Sequence, residues 1–537
     1  MIFIHTQNPL MSSYATLLKR PLALGILLVF AGTFAACDSF VSNVDQPKDA
    51  AGDEQFNDPA EAEYLITGIR AQWADSHSGV TDLADGLSDE FRFGINSNAT
   101  FPTFEQIDAG IIRDDNNSVT TALADLQEYR YLADDLLRRL EESNGFDPDA
   151  PAASASEAEI RYAANVHGAN ARYYLATYFG HPDDPRRGGA TIDTSAFIPS
   201  PELYQRAEDK YANALEQAEA MGDGLLQRRV QSVRARNALY AGTHDFEATG
   251  GLQGPEALQA AAEYAREGLQ EGESWDVAYD LNTVNDYHNQ AGAGRLQLAV
   301  QDGNKAQLAG GVSESYRVAD ESTGELVARS HVETVANNPQ ELNRIPLTII
   351  NSGGATTYGF GALPRNLQDL KPSSASDRFE SVLNDFDPTD VGPRGSASPD
   401  TLSAFSDPSA DPAEYVTIAE WGQGKWEERT DMPFISWQEL FLIRAELELR
   451  GYDAGSETAL ELVNVVRGSY GLSDLSSVDL ERIAVERDRT LFATGSRLPD
   501  QRRMKAVEWH LKDQVNGQKT AQWLQLTQDE TGPNPNL

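Results

Sequence analysis

Apolar residues recur at steps of three and four along two parts of the chain, and an irregular part separates them. In the stretch 118–142, for example, Leu123, Leu126, Tyr129 and Leu132 follow this spacing. The spacing predicts helices, because it places apolar side chains on one helical face. The predicted helices after the first are 118–142, 155–180, 201–221, 228–240 and 255–269, followed by 435–450, 456–466, 478–492 and 501–511.

The first predicted helix opens at Asp58-Pro59, a typical helix start. Its predicted apolar face carries Ala60, Tyr64, Ile66, Ile69 and Trp73. The helices of this region are rich in Ala, Tyr and Leu and occur in neighbouring pairs, which is typical of helical-hairpin repeats. Since no clean period of 34 residues is present, the prediction is a mainly α fold of degenerate TPR-like repeats.

Residues 272–432 change character, because Gly, Ser, Asn, Pro and Asp become frequent and the helical period is lost. Short β-like runs at 315–318, 326–328 and 346–350 are interrupted by turns. A structureless stretch of this length would be unusual in a compact domain. We therefore expect a loop-rich insertion with small β elements, packed on the helical body.

The amino-terminal segment has the layout of a secretory signal. Lys19 and Arg20 precede the apolar run Pro21–Phe34, and two alanines lead into Cys37, the only cysteine. The apolar run is shorter than the roughly 20 residues of a spanning helix. Small residues before a cysteine resemble a bacterial lipobox, in which the thiol is acylated, although Phe34 replaces the usual leucine. The alternative is an ordinary signal peptide with an incidental cysteine.

These patterns divide the chain into segments. We predict a lipoprotein signal peptide, a lipidated Cys37 with a flexible leash, a single body, and a polar tail. The boundaries are 1–36 for the signal, 37–55 for Cys37 and the leash, 56–513 for the body and 514–537 for the tail. Within the body, the N-terminal helices occupy 56–271, the loop-rich insertion that is expected to bind ligand 272–432, and the C-terminal helices 433–513.

The charge balance is strongly acidic, with 83 Asp and Glu against 43 Lys and Arg and a net charge of −40. Only nine of the basic residues are lysine. Acids spread over the whole chain favour a solvated surface suited to high salt over one acidic binding face. Nucleic-acid binding is disfavoured, because no basic stripe offsets the charge.

The sequence contains no catalytic signature. It lacks HExxH, GxSxG, a P-loop and a helix-opening GxGxxG. One cysteine excludes an intrachain disulfide and Cys-based metal sites, and the run 114–117 lacks EF-hand spacing. We therefore predict no enzyme activity, no cofactor and no metal. A helical glycoside hydrolase stays open as the enzyme alternative, since sequence does not supply the separation of its carboxylates.

The C-terminal helices carry a motif that is spread over three segments, 433–451, 459–475 and 480–503. Its positions are Ala445, Glu446, Asn464, Arg467, Gly471, Glu486, Arg487, Leu491, Gly495, Arg497, Asp500 and Arg503. In this order the residues resemble the SusD/RagB family of outer-membrane nutrient-binding lipoproteins. The chain departs from the family pattern at Thr490, Thr494, Leu498, Pro499 and Gln501, which indicates a divergent member.

Further segments extend the resemblance over residues 56–511. They are 173–185, 203–221, 233–242 and 374–383. The resemblance implies a lipoprotein anchored at the cell surface in the outer membrane. It also implies capture of a nutrient, such as an oligosaccharide, for a SusC-like TonB-dependent β-barrel transporter. A tethered helical glycosidase and a TPR-like envelope scaffold are the alternative functions.

Two roles are possible for the charged part of the motif. Glu486, Arg487, Arg497, Asp500 and Arg503 can form buried ion pairs that hold the last helices on the repeat, since Arg binds carboxylate bidentately. Gly495 lies among them. An anionic-ligand site is the alternative, and we prefer the structural role because the motif recurs in a family whose ligands vary.

Ligand-binding residues are expected on loops, because sugars require aromatic platforms and planar polar groups. One candidate loop, 91–104, alternates aromatic and amide side chains, and the irregular middle part carries further rings. The candidates are Phe93, Asn96, Asn98 and Phe101, and then Trp275, Tyr287, Tyr358 and Trp421. The alternative for each ring is that it anchors its loop to the core, so the prediction concerns the group.

Overall fold

The structure of the protein is a computed structural model that describes the helical body and parts of the regions around it. The described ranges are 59–88, 90–93, 106–107, 109–142, 153–184, 187–244, 251–279, 283, 298–300, 317–319, 326–328, 339–345, 348–352, 355–359, 415–416, 431–504, 514–515, 518–519 and 521–536.

The N-terminal half consists of α-helices that begin and end close to the predicted positions. Pro201 stands in the first turn of its helix, where a missing N–H does no harm. Gly222 ends the same helix with φ 70°, a left-handed conformation that favours glycine. The helices are α1 (Ala62–Leu87), α2 (Asn117–Glu141), α3 (Glu157–Tyr178), α4 (Ser200–Met221), α5 (Gly224–Thr243) and α6 (Gly254–Arg266).

The predicted apolar face of the first helix is wrong at Ala60 and Tyr64. Both are exposed, and Ala60 lies in a short 3-10 turn before α1. The buried stripe runs through Ala62, Ile66, Ile69 and Trp73, which repeat at steps of four and three. Tyr64 is two residues out of phase with that stripe, so its ring points away from the core.

Successive helices pack on one another in order from α1 to α6. The contacts are lined by small residues, among them Ala164, Ala171 and Ala207, which are fully buried. Tyr129, Tyr204 and Tyr211 fill the space between the helices. The mainly α fold of helical hairpins is therefore confirmed.

The C-terminal helices pack against this repeat through α7 (Trp437–Leu449), which contacts α5 and α6. The remaining helices are α8 (Ala459–Ser469), α9 (Leu480–Thr490) and α10 (Arg497–Arg503). The predicted start of the last helix at residue 501 is wrong. Pro499 lies inside the first turn of α10, where proline is tolerated because a backbone N–H at that place would have no intrahelical acceptor.

Short strands accompany the helices, as expected for the insertion. In the largest described sheet, β9 (Thr348–Ser352) pairs antiparallel with β10 (Ala355–Gly359) and with β11 (Tyr415–Val416). The other strands are β1 (Phe91–Phe93), β2 (Phe179–Gly180), β3 (Gly189–Ala190), β4 (Ile198–Pro199), β5 (Ser274–Val277), β6 (Leu298–Val300), β7 (Arg317–Ala319), β8 (Leu326–Ala328), β12 (Met432–Ser436), β13 (Gln514–Val515), β14 (Gln518–Lys519) and β15 (Leu524–Gln525).

One strand pair joins the two helical blocks. β5 follows the N-terminal helices, β12 leads directly into α7, and the two pair antiparallel. Asp276 lies opposite Pro433, and Ser274 lies opposite Ser436. This ribbon therefore stands where the irregular middle part leaves and rejoins the helical body.

The segment predicted as a polar tail is packed on the body over residues 521–536. β15 pairs in parallel with β2, and a short helix, α11 (Gln528–Thr531), follows. Trp523 is 3% exposed and lies against Gly180 and Gly188. Within the described residues, no helix combines the length and apolarity needed to cross a membrane.

Candidate functional site

A cavity of about 680 Å³ opens beside the ribbon of β5 and β12. Its walls come from the ribbon, the first turn of α7, the end of α8 and the turn after α9. The lining residues are Gly272, Glu273, Ser274, Asp276, Asn343, Arg344, Asp431, Pro433, Phe434, Ser436, Trp437, Gln438, Glu439, Ser469, Tyr470, Thr490, Leu491, Thr494 and Ser496.

The ribbon holds two carboxylates at the cavity. Asp276 Oδ2 accepts a hydrogen bond from Ser274 Oγ at 2.7 Å, and Asp431 Oδ1 accepts one from the Tyr279 N–H at 3.1 Å. Both aspartates are exposed. Their local hydrogen bonds set the orientation of the carboxylates and leave acceptor capacity on each.

The first turn of α7 forms the second wall. Ser436 caps the helix by accepting a hydrogen bond from the Glu439 N–H at 3.3 Å. The Trp437 N–H donates to the Glu273 carbonyl at 3.1 Å. The Glu273 carboxylate in turn accepts from Arg228 Nε at 2.8 Å, and the hydrogen bonding from Arg228 holds the pKa of Glu273 below its usual value. The start of α7 is thereby tied to the ribbon and to α5.

The opposite wall supplies amide and hydroxyl groups. Asn343 Nδ2 donates to the Tyr470 carbonyl at 2.7 Å, which joins the segment before β9 to the end of α8. Burial raises the pKa of the Tyr470 hydroxyl to about 12. Thr490, Thr494 and Ser496 add hydroxyls. The cavity is therefore lined mainly by neutral polar groups, with carboxylates on the ribbon side.

An aromatic cluster lies behind the cavity and contains one predicted ligand residue. Trp275 is 8% exposed, and its ring centroid lies 5.2 Å from that of Trp73 and 5.4 Å from that of Phe434. His77 donates to or accepts from the Tyr174 hydroxyl at 2.7 Å in the same cluster. Trp275 therefore anchors the ribbon to the core. For each aromatic candidate, such an anchoring role is the alternative to ligand binding.

The other predicted ligand residues and the predicted lipidation site are described only in part or lie outside the described residues. Phe93 is the last residue of β1 and Tyr358 lies in β10, but the structure describes only their backbone. Asn96, Asn98, Phe101, Tyr287, Trp421 and Cys37 lie outside the described residues. Their proposed roles stay predictions.

A buried ion network underlies the cavity on the side of α9. Glu486 accepts from Arg344 at 2.6 Å, from Arg467 at 2.8 Å and from Arg482 at 2.8 Å. Arg344 also pairs with Glu341, and its side chain is fully buried. Burial alone would raise the pKa of Glu486, but the surrounding guanidinium groups, Arg344 first, hold it well below its usual value.

The remaining charged residues of the motif form separate contacts. Arg487 Nε donates to Asp500 at 2.8 Å, and Arg503 donates to Asp500 at 2.7 Å. Arg497 lies 3.2 Å from Asp488. Gly495 has φ 75°, a conformation that favours glycine.

Three further hydrogen bonds connect residues of the motif to other helices. Arg503 donates to Glu446 of α7 at 2.7 Å, and Arg487 donates to the Tyr240 hydroxyl of α5 at 3.1 Å. The Gly495 N–H donates to Asp85 of α1 at 3.0 Å. The arginine, glutamate, aspartate and glycine residues of the motif named above do not line the cavity, and within the described structure they connect helices. These residues are Glu486, Arg487, Gly495, Arg497, Asp500 and Arg503.

The residues that line the cavity were mostly missed by sequence reasoning. Asp276 and Asp431 belong to no motif and stand 155 positions apart in the sequence, and Trp437 and Gln438 lie in the segment 433–451 but were not named as ligand residues. One signal was available: both groups lie at the boundaries where the helical period stops and resumes. The described residues include no group of three His, Cys, Asp or Glu side chains placed to hold a metal ion.

Comparison with known proteins yields no matching family model and no matching curated protein. Solved structures do match along most of the chain. A SusD homolog from Bacteroides thetaiotaomicron superposes with a TM-score of 0.56 at 13% identity, covering 85% of this chain and 89% of that one. SusD superfamily proteins from Bacteroides vulgatus and Parabacteroides distasonis give TM-scores of 0.55 and 0.52 at 11% and 13% identity. Each of these two comparisons covers 89% of this chain and 98% of the other.

Proposed function

We propose that this chain, which has the SusD fold, is a nutrient-binding lipoprotein of the cell surface. It captures an oligosaccharide and delivers it to a SusC-like TonB-dependent transporter in the outer membrane. The protein acts by binding and release, and transport belongs to its partner. The resemblance predicted from the C-terminal motif and the fold found by superposition support the same assignment.

The observation that carries the proposal is the polar cavity beside the ribbon. Ser274, Asn343, Gln438 and Thr494, which carry neutral hydroxyl and amide groups, line it together with Trp437. Sugar rings present hydroxyls around apolar faces, so they match a wall of this composition. The volume of about 680 Å³ lies within the range of small-molecule sites.

The amino-terminal sequence supports the anchor. The segment before Cys37 has the order of charged, apolar and small residues found in secreted lipoproteins. Each buried methylene of an acyl chain contributes about 0.8 kcal/mol, so several chains hold a soluble domain firmly at a membrane. The polar stretch 38–55 then serves as the leash between lipid and body.

A binding screen tests the ligand assignment. The lipoprotein is purified in detergent and titrated with oligosaccharides and peptides at low and high salt. We expect at least one oligosaccharide class to bind, and we expect Gln438→Ala with Thr494→Val to weaken it by about tenfold or more, since each change removes a polar contact.

The matched control replaces Gln227 and Gln231 of α5, which line a different groove, formed with the end of α4, the end of α6 and α7. We expect Gln227→Ala with Gln231→Ala to bind as the unaltered protein does. Binding of peptides alone would overturn the oligosaccharide assignment. Hydrolysis of an oligosaccharide by the purified protein would instead favour the glycosidase alternative.

A further inference from the structure

The buried ion network beneath the cavity contains more arginine than carboxylate. Its arginines come from the segment before β9, from α8 and from α9, and they surround two glutamates. Every member is at most 7% exposed. The members are Arg344, Arg467, Arg482 and Arg489, with Glu341 and Glu486.

The two glutamates leave an excess of positive charge. Glu341 accepts from Arg344 Nε at 2.6 Å, from Arg344 Nη2 at 3.0 Å and from Arg489 Nη1 at 2.6 Å, and Glu486 serves the other arginines. Among the described residues, no other carboxylate forms an ion pair with the four arginines. Asp488, the neighbour of Arg489 on α9, pairs with Arg497 instead. Four guanidinium groups therefore face two carboxylates in the interior.

The titration of Arg482 shows the same imbalance. Burial lowers the pKa of Arg482, and the neighbouring guanidinium groups lower it further, although Glu486 opposes them. The net effect is a pKa below the usual value of an arginine. Because buried charges are normally paired, an excess of this kind destabilises the folded state unless an anion offsets it.

Arg489 also has a donor that the described residues do not use. Its Nη1 donates to Glu341, but its Nε has no hydrogen-bond partner among the described residues, and Arg489 is 3% exposed. A buried donor without a partner costs free energy and calls for an acceptor. Arg482, Glu486 and Arg489 stand at positions i, i+4 and i+7 of α9, so the unused donor lies on the helical face that carries the excess charge.

The network borders the cavity beside the ribbon. Arg344 and Thr490 line that cavity, and Arg344 Nη1 donates to the Thr490 hydroxyl at 3.2 Å. A small solute that enters the cavity therefore meets the network at the cavity wall. The near-complete burial of the side chains behind this wall favours a small ion over a bulky one.

We propose that the network binds a small inorganic anion of the chloride class, which accepts a hydrogen bond from Arg489 Nε and offsets part of the excess positive charge. A monovalent anion suits the interior better than a divalent one, because the cost of removing an ion from water grows with its charge. The inference goes beyond the proposed function, since the anion completes the network whether or not a sugar is bound.

Thermal unfolding at constant ionic strength tests the inference. The lipoprotein is purified in detergent with sodium glutamate as the only salt, and sodium chloride then replaces the glutamate stepwise. We expect the unfolding midpoint to rise by about 3 °C or more and to level off, as it does when a site on the folded protein fills. Glutamate is too bulky to enter the network. Chlorine NMR measures binding directly: the chloride line should broaden when protein is added, and bromide should narrow it again by competition.

Matched variants locate the site. Arg489→Gln removes one excess charge together with the unused donor, and we expect it to lose the chloride response and to be at least as stable as the unaltered protein in glutamate. Arg482→Gln removes an excess charge from the same helical face and should lose the response as well, so it replaces Arg489→Gln if that protein does not fold. The control is Arg234→Gln, which breaks a balanced pair with Glu208. It should be less stable and should keep the full chloride response.

Three results would overturn the inference. The first is an unfolding midpoint that is the same in chloride and in glutamate. The second is a chloride response of the Arg489→Gln and Arg482→Gln proteins as large as that of the unaltered protein, which would assign it to screening of the net charge of −40. The third is a loss of the response in Arg234→Gln. The proposed function fails separately, because none of these measurements contains a sugar.

Discussion

Arg487 Nε donates a hydrogen bond to Asp500 Oδ2 at 2.8 Å, and the two side chains are 0% and 4% exposed. This pair ties α9 to α10, and Arg503 links the same aspartate to Glu446 of α7. The pairing of a guanidinium fork with a carboxylate thus connects three helices in the interior.

Arg487→Met is expected to lower the free energy of unfolding by about 3–5 kcal/mol, because it leaves a buried carboxylate without one of its partners. Urea denaturation followed by circular dichroism measures the change. The control is Arg113→Met, which breaks an exposed pair with Asp115 and should change stability by less than about 1 kcal/mol. Equal losses of unfolding free energy in the two variants would show that the buried pair stabilises the protein no more than the exposed pair does.

The contact between the C-terminal segment and the body gives a second prediction. A Cβ atom on Gly188 would overlap with Trp523 Cη2 and would lie 2.5 Å from Ser200 Oγ. Gly188→Ala is therefore expected to destabilise the protein by about 1–3 kcal/mol, since the indole must shift. Gly68→Ala is the control, because no atom lies within 4 Å of its Cβ position in α1.

Limited proteolysis reports whether this segment detaches. In the Gly188→Ala protein, cleavage near residues 521–536 should become faster than in the unaltered protein. In the Gly68→Ala protein, stability should rise by about 0.5–1 kcal/mol, as expected for alanine in place of glycine in a helix. Unchanged cleavage in Gly188→Ala would contradict the packing of Trp523.

Two buried histidines, His77 and His167, and the half-buried His244 should make the protein less stable in mild acid. Burial lowers the pKa of His77, His167 and His244 to about 3, from 6.5. The unfolded chain therefore binds protons that the folded chain does not, and stability falls as the pH drops below 6.5. Each histidine contributes about 2 kcal/mol of this loss between pH 6.5 and about pH 5.

Unfolding free energies measured across this pH range check the slope. His167→Gln, which keeps a polar group near the Tyr129 hydroxyl, should reduce the pH dependence by roughly one histidine's share. His181 is only partly buried, so His181→Gln should reduce it less. If the unfolding free energy depends on pH as steeply in His167→Gln as in the unaltered protein, His167 does not contribute to the acid sensitivity.

The buried Glu90 side chain should give the protein's stability a pH dependence of the opposite sign. Burial raises its pKa well above 4.5, and the neighbouring Asp85 and Asp488 raise it further. The folded chain thus holds a proton that the unfolded chain releases, and the stability from this group is lost as the pH rises through the folded pKa. Glu90→Gln, which resembles the protonated acid, should be more stable than the unaltered protein near pH 8.

The same variant should differ little near pH 4.5, where the acid is protonated in the folded protein. Glu256→Gln, an exposed position in α6, should leave the profile unchanged at both values. Thermal unfolding of the three proteins across this range measures the difference. A destabilised Glu90→Gln protein at pH 8 would contradict the prediction.

Acylation of Cys37 is the fifth prediction. Labelled palmitate should be incorporated into the unaltered protein and not into Cys37→Ser, because this is the only thiol. The Ser39→Ala protein is the matched control and should label normally. The Cys37→Ser protein should be absent from the membrane fraction. If the protein stays in the membrane fraction without carrying the label, it has no lipid anchor.

Much of the fold was determined by the sequence alone. The helices 117–141, 157–178 and 200–221 lie within two residues of their predicted bounds. Periodic apolar spacing is a local property, so each such helix is encoded in its own residues. The errors at Tyr64 and at the start of α10 concern which face is buried and where a proline is tolerated, and neighbouring elements decide both.

The site depended on the tertiary structure. Asp276 and Asp431 belong to no motif, and both line one cavity because β5 pairs with β12 across the whole insertion. The same holds for Trp275, whose aromatic type suggested a sugar platform and whose position places it against Trp73 and Phe434. The type of a residue indicates which interactions its side chain can make. Its burial in the fold decides which of these interactions it does make.

The sequence by itself determined the helical class, the acidic surface and the resemblance to the SusD/RagB family, because these follow from periodicity, composition and local motifs. Only the tertiary structure decided that the C-terminal segment packs on the body through Trp523 and that a polar cavity forms beside the ribbon. Contacts between residues far apart in the chain depend on how whole elements pack, and no local pattern specifies them.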